Sequence, residues 1–219
     1  MTGIIVSGFR WAPPFAQGLI RDLRVRWALE EAGLAYEARL IEITDRNSDA
    51  NRRTHPFGMV PAFEADGFEL FESGAILHHI ALDSEALMPT DRPGRAQTLT
   101  WMFAALNTVE PPMETLLVVD LVQGEEAWAK LRRPGAVDAV KTRLATLAAW
   151  LDGRDYLVDR FTAADILMTT VLRFIRHTDL VAGFPVLDAY VKRCEARPAF
   201  QKALQDQMEG YARNAPVAA

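Results

Sequence analysis

Met59-Val60-Pro61-Ala62-Phe63-Glu64, followed after a turn by Glu72-Ser73, is the stretch that decides the fold. Its first part predicts a short strand, with Pro61 at the entrance where the lack of an N–H group is tolerated. Asp66-Gly67 has the chemistry of a tight hairpin turn, so Phe68–Phe71 is predicted to be the next strand. Glu72-Ser73 then predicts the start of a helix. We interpret the whole stretch as a site for an extended, anionic, peptide-like ligand.

The residues before and after this stretch predict a sheet with helices on both sides. A β-branched run predicts the first strand, and Gly33 is well placed to end the first helix. The polar residues 44–58 predict a loop that contains a short helix. The predicted order is β-α-β-(α)-β-β-α, with strands at 4–6, 36–43, 60–64 and 68–71 and the two main helices at 19–32 and 73–82.

The second half of the chain predicts only helices. The polar, proline-bearing residues 84–94 are interpreted as a linker between a thioredoxin-like domain, residues 1–83, and an all-helical domain, residues 95–219. Pro111-Pro112 interrupts the helical periodicity of residues 95–122 and predicts a kink or a break. Thr162 and Asp165 form a capping-box pattern at the start of a later helix. The fold class is therefore α/β followed by all-α.

Composition excludes several classes of function. The chain has 219 residues, a formal net charge of −5 and no long basic block, so nucleic acid and anionic membranes are not expected partners. We expect no signal peptide and no membrane-spanning helix. The single cysteine, Cys194, makes a cytoplasmic location the default, and no Cys/His cluster has the spacing of a zinc site. We interpret Cys194 as a buried small hydrophobe.

A series of short motifs occurs in a characteristic order along nearly the whole chain. They are Arg24–Gly33, Val60-Pro61, Glu72–Leu77, Phe161–Ile166, and Tyr190 with Arg197–Phe200. In this order the chain resembles the cytosolic glutathione S-transferase superfamily, of bacterial type, with the class left open. The resemblance implies a glutathione-binding thioredoxin-like domain, a helical C-terminal domain, a cytoplasmic homodimer, a role in detoxification and no metal.

The resemblance implies specific contacts with glutathione. Ser73 would hold the γ-glutamyl carboxylate with its hydroxyl and amide, because the free amides at a helix N-terminus attract anions, and Glu72 would also contact glutathione. The alternative is that Ser73 only caps the helix. Pro61 would follow a cis peptide bond, so that the Val60 backbone pairs with the cysteinyl unit; the alternative is an ordinary edge strand. Met59 stands where relatives often carry Lys or Gln and would contribute only its backbone.

His55 is a further candidate ligand residue, since it could contact the glycyl carboxylate of glutathione. The alternative is that it is a solvated loop histidine. The charged residues Arg21, Asp22, Arg24 and Arg26 are interpreted as a solvated or ion-paired face of the first helix, and Arg10 and Arg21 remain open as contacts to a ligand or an interface.

The residue that activates the thiol is the least certain part of the site. The family uses Tyr, Ser or Cys to stabilise the thiolate, which is the nucleophile. The expected serine position falls on Leu19 or Ile20, neither of which has a donor, and Pro13 takes the place of the cysteine of omega-type relatives. Trp11 and Ser7 are therefore the candidates. Backbone amides or a helix dipole remain an alternative, and Trp11 and Ser7 also have structural interpretations as an aromatic lid and a buried hydroxyl.

Phe9, Phe15, Phe103 and Leu106 are candidates for the wall of the pocket that would receive the second substrate. Their helical or strand spacing is equally typical of core residues. The predicted activity is the conjugation of glutathione to a small hydrophobic electrophile. The alternatives are a scaffold or regulator of this fold with little catalysis, like stringent-starvation-type proteins, and a glutathione-dependent isomerase or dehalogenase.

Overall fold

The computed structural model describes residues 1–216; residues 217–219, the last three of the predicted helical domain, lie outside it. By packing, the chain divides into two units. The first consists of Met1–Leu87 together with Arg197 and the described residues after it, and the second is Met88–Ala196. The packing differs from the predicted division in one respect, because the last helix belongs with the first unit. The predicted limits of the domains remain a prediction.

The first unit contains a mixed four-stranded sheet. Its strands are β1 (Ile4–Phe9), β2 (Tyr36–Ile41), β3 (Ala62–Ala65) and β4 (Phe68–Phe71), in the order β2-β1-β3-β4. Strand β1 is parallel to β2 and antiparallel to β3, and β3 is antiparallel to β4. Asp66 and Gly67 both have positive φ, 49° and 82°, which confirms the predicted hairpin turn.

The helices were mostly predicted in the right places. In the described residues they are α1 (Asp22–Ala32), α2 (Asp49–Thr54), α3 (Ser73–Leu82), α4 (Arg92–Phe103), α5 (Glu110–Leu117), α6 (Ala127–Leu151), α7 (Ala163–Leu172), α8 (Pro185–Glu195) and α9 (Pro198–Arg213). Helix α1 begins later than predicted, because Leu19 and Ile20 still belong to the turns that follow β1. It ends at Gly33, whose left-handed φ of 67° confirms the predicted stop.

Helix α1 is buried along most of its length because it contacts both α3 and α9 as well as β1. Trp27 on α1 packs edge-on against Phe200 on α9, with ring centroids 4.8 Å apart. Arg197 donates from Nε and one terminal nitrogen to the two carboxylate oxygens of Glu31, at 2.5 and 2.8 Å. The first and last helices of the chain therefore share one hydrophobic core.

The charged residues of α1 are mostly not at the surface. Asp22, Arg24 and Arg26 are all buried, so the interpretation of a solvated face is wrong for these three. Asp22 and Arg26 form an ion pair, as in the alternative interpretation, with Arg26 Nε 2.7 Å from Asp22 Oδ2. Burial on every side follows from the contact with α9, which no local pattern in α1 indicates.

The second unit is helical. Helices α4 and α5 are joined by a π-helical segment, Ala104–Val109, and Pro111 and Pro112 lie in the first turn of α5, where their missing N–H groups cost least. The α-helical hydrogen-bond ladder is thus broken just before the prolines. The predicted capping box at α7 is confirmed, with Thr162 and Asp165 bonded reciprocally. In the described part of the chain no helix is long and apolar enough to cross a membrane.

Candidate functional site

The N-terminus of α3 is the centre of the candidate site. Glu72 occupies the N-cap position, with φ 69° and ψ 112°, and within the described residues its side chain makes no capping hydrogen bond. Ser73 is the first residue of the helix, so the alternative that Ser73 caps it is wrong. A non-glycine residue with positive φ is uncommon and is typical of functional sites. The first amides of α3 therefore lie at a helix start that has no side-chain cap, which is the arrangement that binds an anion.

The Ser73 hydroxyl accepts a hydrogen bond from a buried arginine. Nη1 of Arg24, on α1, donates to Oγ of Ser73 at 3.2 Å. Arg24 is 1% exposed and Ser73 is also buried. This hydrogen bond therefore fixes the side chain of Ser73, which is one of the predicted ligand residues.

The Val60–Pro61 peptide bond is cis, as the resemblance implies. Val60 and Pro61 are buried at the entrance to β3, whereas the neighbouring Met59 is exposed. The Ala62 amide that follows donates to Oγ of Ser7, at 2.7 Å. Ser7 thus fastens β1 to the segment that carries the cis bond.

Ser7 faces the side of the sheet that is turned away from α1. A Cβ atom on its neighbour Gly8 would lie 2.7 Å from Oδ2 of Asp22, so Gly8 faces α1, and successive residues of a strand face opposite sides. Ser7 lines a cleft of about 650 Å³ on its own side of the sheet. Charged residues line much of this cleft, and four of them form the ion pairs Arg39–Glu64 and Arg10–Glu42. The structure does not bring Ser7 against Ser73.

His55 is buried, with 3% of its surface exposed, so the alternative of a solvated loop histidine is wrong. Its ring packs against Phe71, with centroids 5.2 Å apart, and against Phe57 at 6.4 Å. Burial lowers the pKa of His55 below its usual 6.5, and the negative charge of Glu72 opposes that shift. The structure therefore places His55 within electrostatic reach of Glu72, next to the start of α3.

The remaining candidates occupy less defined positions. Trp11 is half-buried in the loop after β1, Phe9 is half-buried at the end of that strand, and Phe15 is exposed in the turns that follow. In the second unit, Phe103 ends α4 with its side chain exposed, and Leu106 is half-buried in the π-helical segment. The roles predicted for these residues remain predictions.

Arg24 is the site residue that sequence reasoning missed. Its pairing with Ser73 joins positions 49 residues apart, across the contact between α1 and α3. No local signal marked it, because Leu23 and Val25 beside it lie on other faces of the helix.

Two family models match the chain. The model for the glutathione S-transferase N-terminal domain matches residues 16–82, and the model for the C-terminal domain of the same family matches residues 130–198. The matched ranges include α1, the cis bond and the start of α3.

Individual relatives point the same way. Human glutathione S-transferase A3 is 31% identical over 192 residues, which are 83% of this chain and 82% of the relative. Elongation factor 1-gamma-A of Xenopus laevis is 34% identical over 155 residues, but this chain spans only 35% of its length. A crystal structure of a glutathione transferase from Burkholderia graminis, with two glutathione molecules bound per subunit, has a TM-score of 0.81 and 28% identity, covering 93% of this chain and 88% of that one.

Proposed function

The chain belongs to the glutathione S-transferase superfamily, and we propose that it binds glutathione at the start of α3 and joins its sulfur to a small hydrophobic electrophile. The observation that carries the proposal is the uncapped N-terminus of α3, with Glu72 in a left-handed conformation and Ser73 beside it. The bound glutathione of the Burkholderia graminis structure supports the choice of ligand. The reaction class and the electrophile are the finer part of the proposal.

In the proposed complex the γ-glutamyl carboxylate binds at Ser73 and the first amides of α3, and Glu72 also contacts glutathione. The positive end of the helix dipole and the first amides of α3 attract a carboxylate. Ser73 contributes its hydroxyl group. Each such hydrogen bond to a charged group is worth about 1.5–3 kcal/mol.

The peptide body of glutathione is proposed to lie along Met59 and Val60, beside Pro61. An extended ligand there would pair with the backbone as an added strand does. Met59 offers no cation for the glycyl carboxylate. His55 is proposed to support that end by packing against Phe71 rather than by charge, since its lowered pKa favours the neutral ring at pH 7.

The thiolate is proposed to be stabilised by the Trp11 indole or by a backbone amide near it. Ser7 is the weaker candidate, because its side chain faces away from α1, into the cleft on the other side of the sheet. Phe9, Phe15, Phe103 and Leu106 stay the candidates for contact with the electrophile because they are apolar, as side chains that line such pockets commonly are.

We also propose a cytoplasmic homodimer. Phe57 supports it, because 68% of this large apolar side chain is exposed. Sedimentation would give the mass of a dimer for the wild type, and Phe57→Ser would shift it toward the monomer. A wild-type protein that sediments as a monomer at micromolar concentration would contradict the dimer.

Calorimetric titration with glutathione tests the binding proposal. The wild type is expected to bind at millimolar or lower concentration, and Ser73→Ala is expected to bind about ten times more weakly, the value of one charge-assisted hydrogen bond. Ser84→Ala, just beyond the other end of α3, is the matched control and should bind like the wild type. Equal affinities of the wild type and Ser73→Ala would show that the site is elsewhere.

A scaffold with little catalysis is the second candidate function. It is favoured by the similarity to elongation factor 1-gamma-A and by the absence of a side-chain donor at Leu19 and Ile20. The ultraviolet absorbance of bound glutathione, measured as a function of pH, distinguishes a transferase from a scaffold. A depressed thiol pKa supports the transferase, and binding with an unshifted thiol pKa supports the scaffold.

A further inference from the structure

Arg24 is an unusual residue to find inside α1. It is among the largest side chains that are fully buried in the described chain, at 1% exposure. An arginine is seldom buried completely unless it has specific partners, since removing its charge from water is costly. One of its contacts is the Ser73 hydroxyl, to which Nη1 donates at 3.2 Å.

The chemistry of the two groups fixes the direction of this hydrogen bond. A guanidinium group has only donors, whereas a hydroxyl has one proton and two acceptor lone pairs. With Arg24 donating to Ser73 Oγ, one lone pair is occupied and the hydroxyl proton is left for another acceptor. Ser73 then presents a donor beside the first amides of α3, which are donors as well.

The Ser73 hydroxyl and the first amides of α3 are donors, and donors favour a ligand group made only of acceptors. A carboxylate is such a group, whereas a carboxamide would bring its own N–H donors toward the amides. We propose that Arg24 is a positioning residue that sets the Ser73 hydroxyl to donate, and that it thereby selects ligands with a free carboxylate at this end. The inference rests on the proposed function, in which Ser73 binds the γ-glutamyl carboxylate of glutathione.

Arg26 provides a matched control on the same helix. It is also buried, but its Nε donates to Asp22 Oδ2 at 2.7 Å. Arg24→Gln and Arg26→Gln therefore remove the same charge from the same helix, and Arg24→Gln alone removes the hydrogen bond to Ser73.

The test measures the affinity of two ligands by calorimetry. One is glutathione, and the other is γ-aminobutyryl-cysteinylglycine, which lacks the carboxylate. Arg24→Gln is expected to lower the affinity for glutathione about tenfold, as for the loss of one charge-assisted hydrogen bond. The affinity for the analogue is expected to change less than about twofold. Arg26→Gln is expected to weaken both ligands by the same small factor. A general loosening of the fold would move both ligands together, so the ratio of the two affinities is the deciding quantity.

Coupling between the two residues gives a second readout. If Arg24 acts through Ser73, then Arg24→Gln should weaken glutathione no further in a Ser73→Ala background. Fully additive losses, or equal losses for glutathione and the analogue, would overturn the inference. If Arg24→Gln fails to fold, Arg24→Lys replaces it under the same criterion, with a loss confined to glutathione expected because a lysine cannot reproduce the guanidinium geometry.

The result also separates this inference from the proposed function. A wild type that does not bind glutathione overturns both. A wild type that binds, with an Arg24→Gln affinity equal to that of the wild type, overturns only the role of Arg24.

Discussion

Gln207 on α9 donates from Nε2 to Oδ1 of Asp22 on α1 at 2.7 Å, although 185 positions separate the two residues. Arg26 takes the other oxygen of the same carboxylate at 2.7 Å. Burial raises the pKa of Asp22, while the charge of Arg26 and its hydrogen bond oppose that shift. A buried ion pair and a long-range hydrogen bond thus share one carboxylate, so the start of α1 depends on a helix formed by the far end of the chain.

Asp22→Ala should lower the free energy of unfolding by about 3–5 kcal/mol, because it leaves the Arg26 charge buried without this partner. Urea unfolding followed by circular dichroism measures the loss. Lys192→Ala is the control, since the Lys192–Asp188 pair lies at the surface, with 73% of the lysine side chain exposed, and should change the stability by less than about 1 kcal/mol. Similar small losses in both variants would contradict the importance assigned to the buried pair.

Phe200→Ala should destabilise the protein by about 3–5 kcal/mol, since Phe200 is fully buried against Trp27 and its removal leaves a cavity. Thermal unfolding and the fluorescence of the tryptophans report the change. Met208→Ala, on an exposed position of the same helix, should cost less than about 1 kcal/mol. A Phe200→Ala protein as stable as the wild type would mean that α9 contributes little to the first unit.

These long-range contacts mark the limit of what the sequence could predict about the fold. The sheet, the hairpin at Asp66-Gly67, the stop at Gly33 and the capping box at Thr162 depend on local chemistry, and all were predicted. The packing of α9 against α1 depends on which helix covers which, and helical periodicity in α9 does not specify its partner. For that reason the sequence predicted a solvated or ion-paired face for the charged residues of α1.

The candidate site likewise contains residues that local sequence predicts and residues that only tertiary contacts place there. Ser73, Glu72 and the cis bond before Pro61 follow from local motifs and the family resemblance. Arg24 and the placement of His55 follow from tertiary contacts. The charge of Arg24 favoured a solvent-exposed position, but the structure buries this residue and places it against Ser73 on another helix. The local sequence of the loop at 9–20 departs from that of relatives, and the thiol-activating residue accordingly stays a prediction.

Gly58→Ala should lower the free energy of unfolding by about 2 kcal/mol or more. Gly58 has a φ of 66°, which an L side chain rarely adopts, and an added Cβ would lie 2.6 Å from Oδ1 of Asn47 and 2.8 Å from the Arg46 carbonyl oxygen. Gly135→Ala is the matched control, because that glycine is exposed within α6 and its added Cβ meets no atom within 4 Å. It should stabilise the protein by about 0.5–1 kcal/mol.

Urea unfolding of both variants measures the difference. Two changes of the same sign would show that the loop before Met59 can relax around a side chain at Gly58. From the backbone geometry we expect Gly58→Ala to lower the free energy of unfolding and Gly135→Ala to raise it.

The stability of the wild type relative to Asp165→Asn should rise as the pH falls. Burial raises the pKa of Asp165 to about 6, against hydrogen bonds from the amides of Leu157 and Thr162 and from the Tyr190 hydroxyl, which lower it. Because the unfolded value is 3.8, the folded protein binds the proton more tightly. The cost of the buried charge is fully present above about pH 6 and is relieved as the pH approaches 3.8.

The expected gain is about 2–3 kcal/mol between pH 7 and pH 4, from the value of one pKa unit in free energy. Urea unfolding at a series of pH values, with asparagine as the non-titrating reference, isolates the contribution of this carboxyl group. A constant difference between the two proteins over that range would contradict the raised pKa.

The contact of α9 with α1 also has a consequence for the order in which the protein matures on the ribosome. Helix α1 is made early, but Phe200 and Gln207, which cover Trp27 and Asp22, emerge only after every residue of the second unit. Until then one side of α1 is uncovered, so the Trp27 indole and the Asp22–Arg26 ion pair are exposed to water. The first unit to be translated is therefore the last to be completed, and a stalled chain that ends at α8 would present that side of α1 to chaperones.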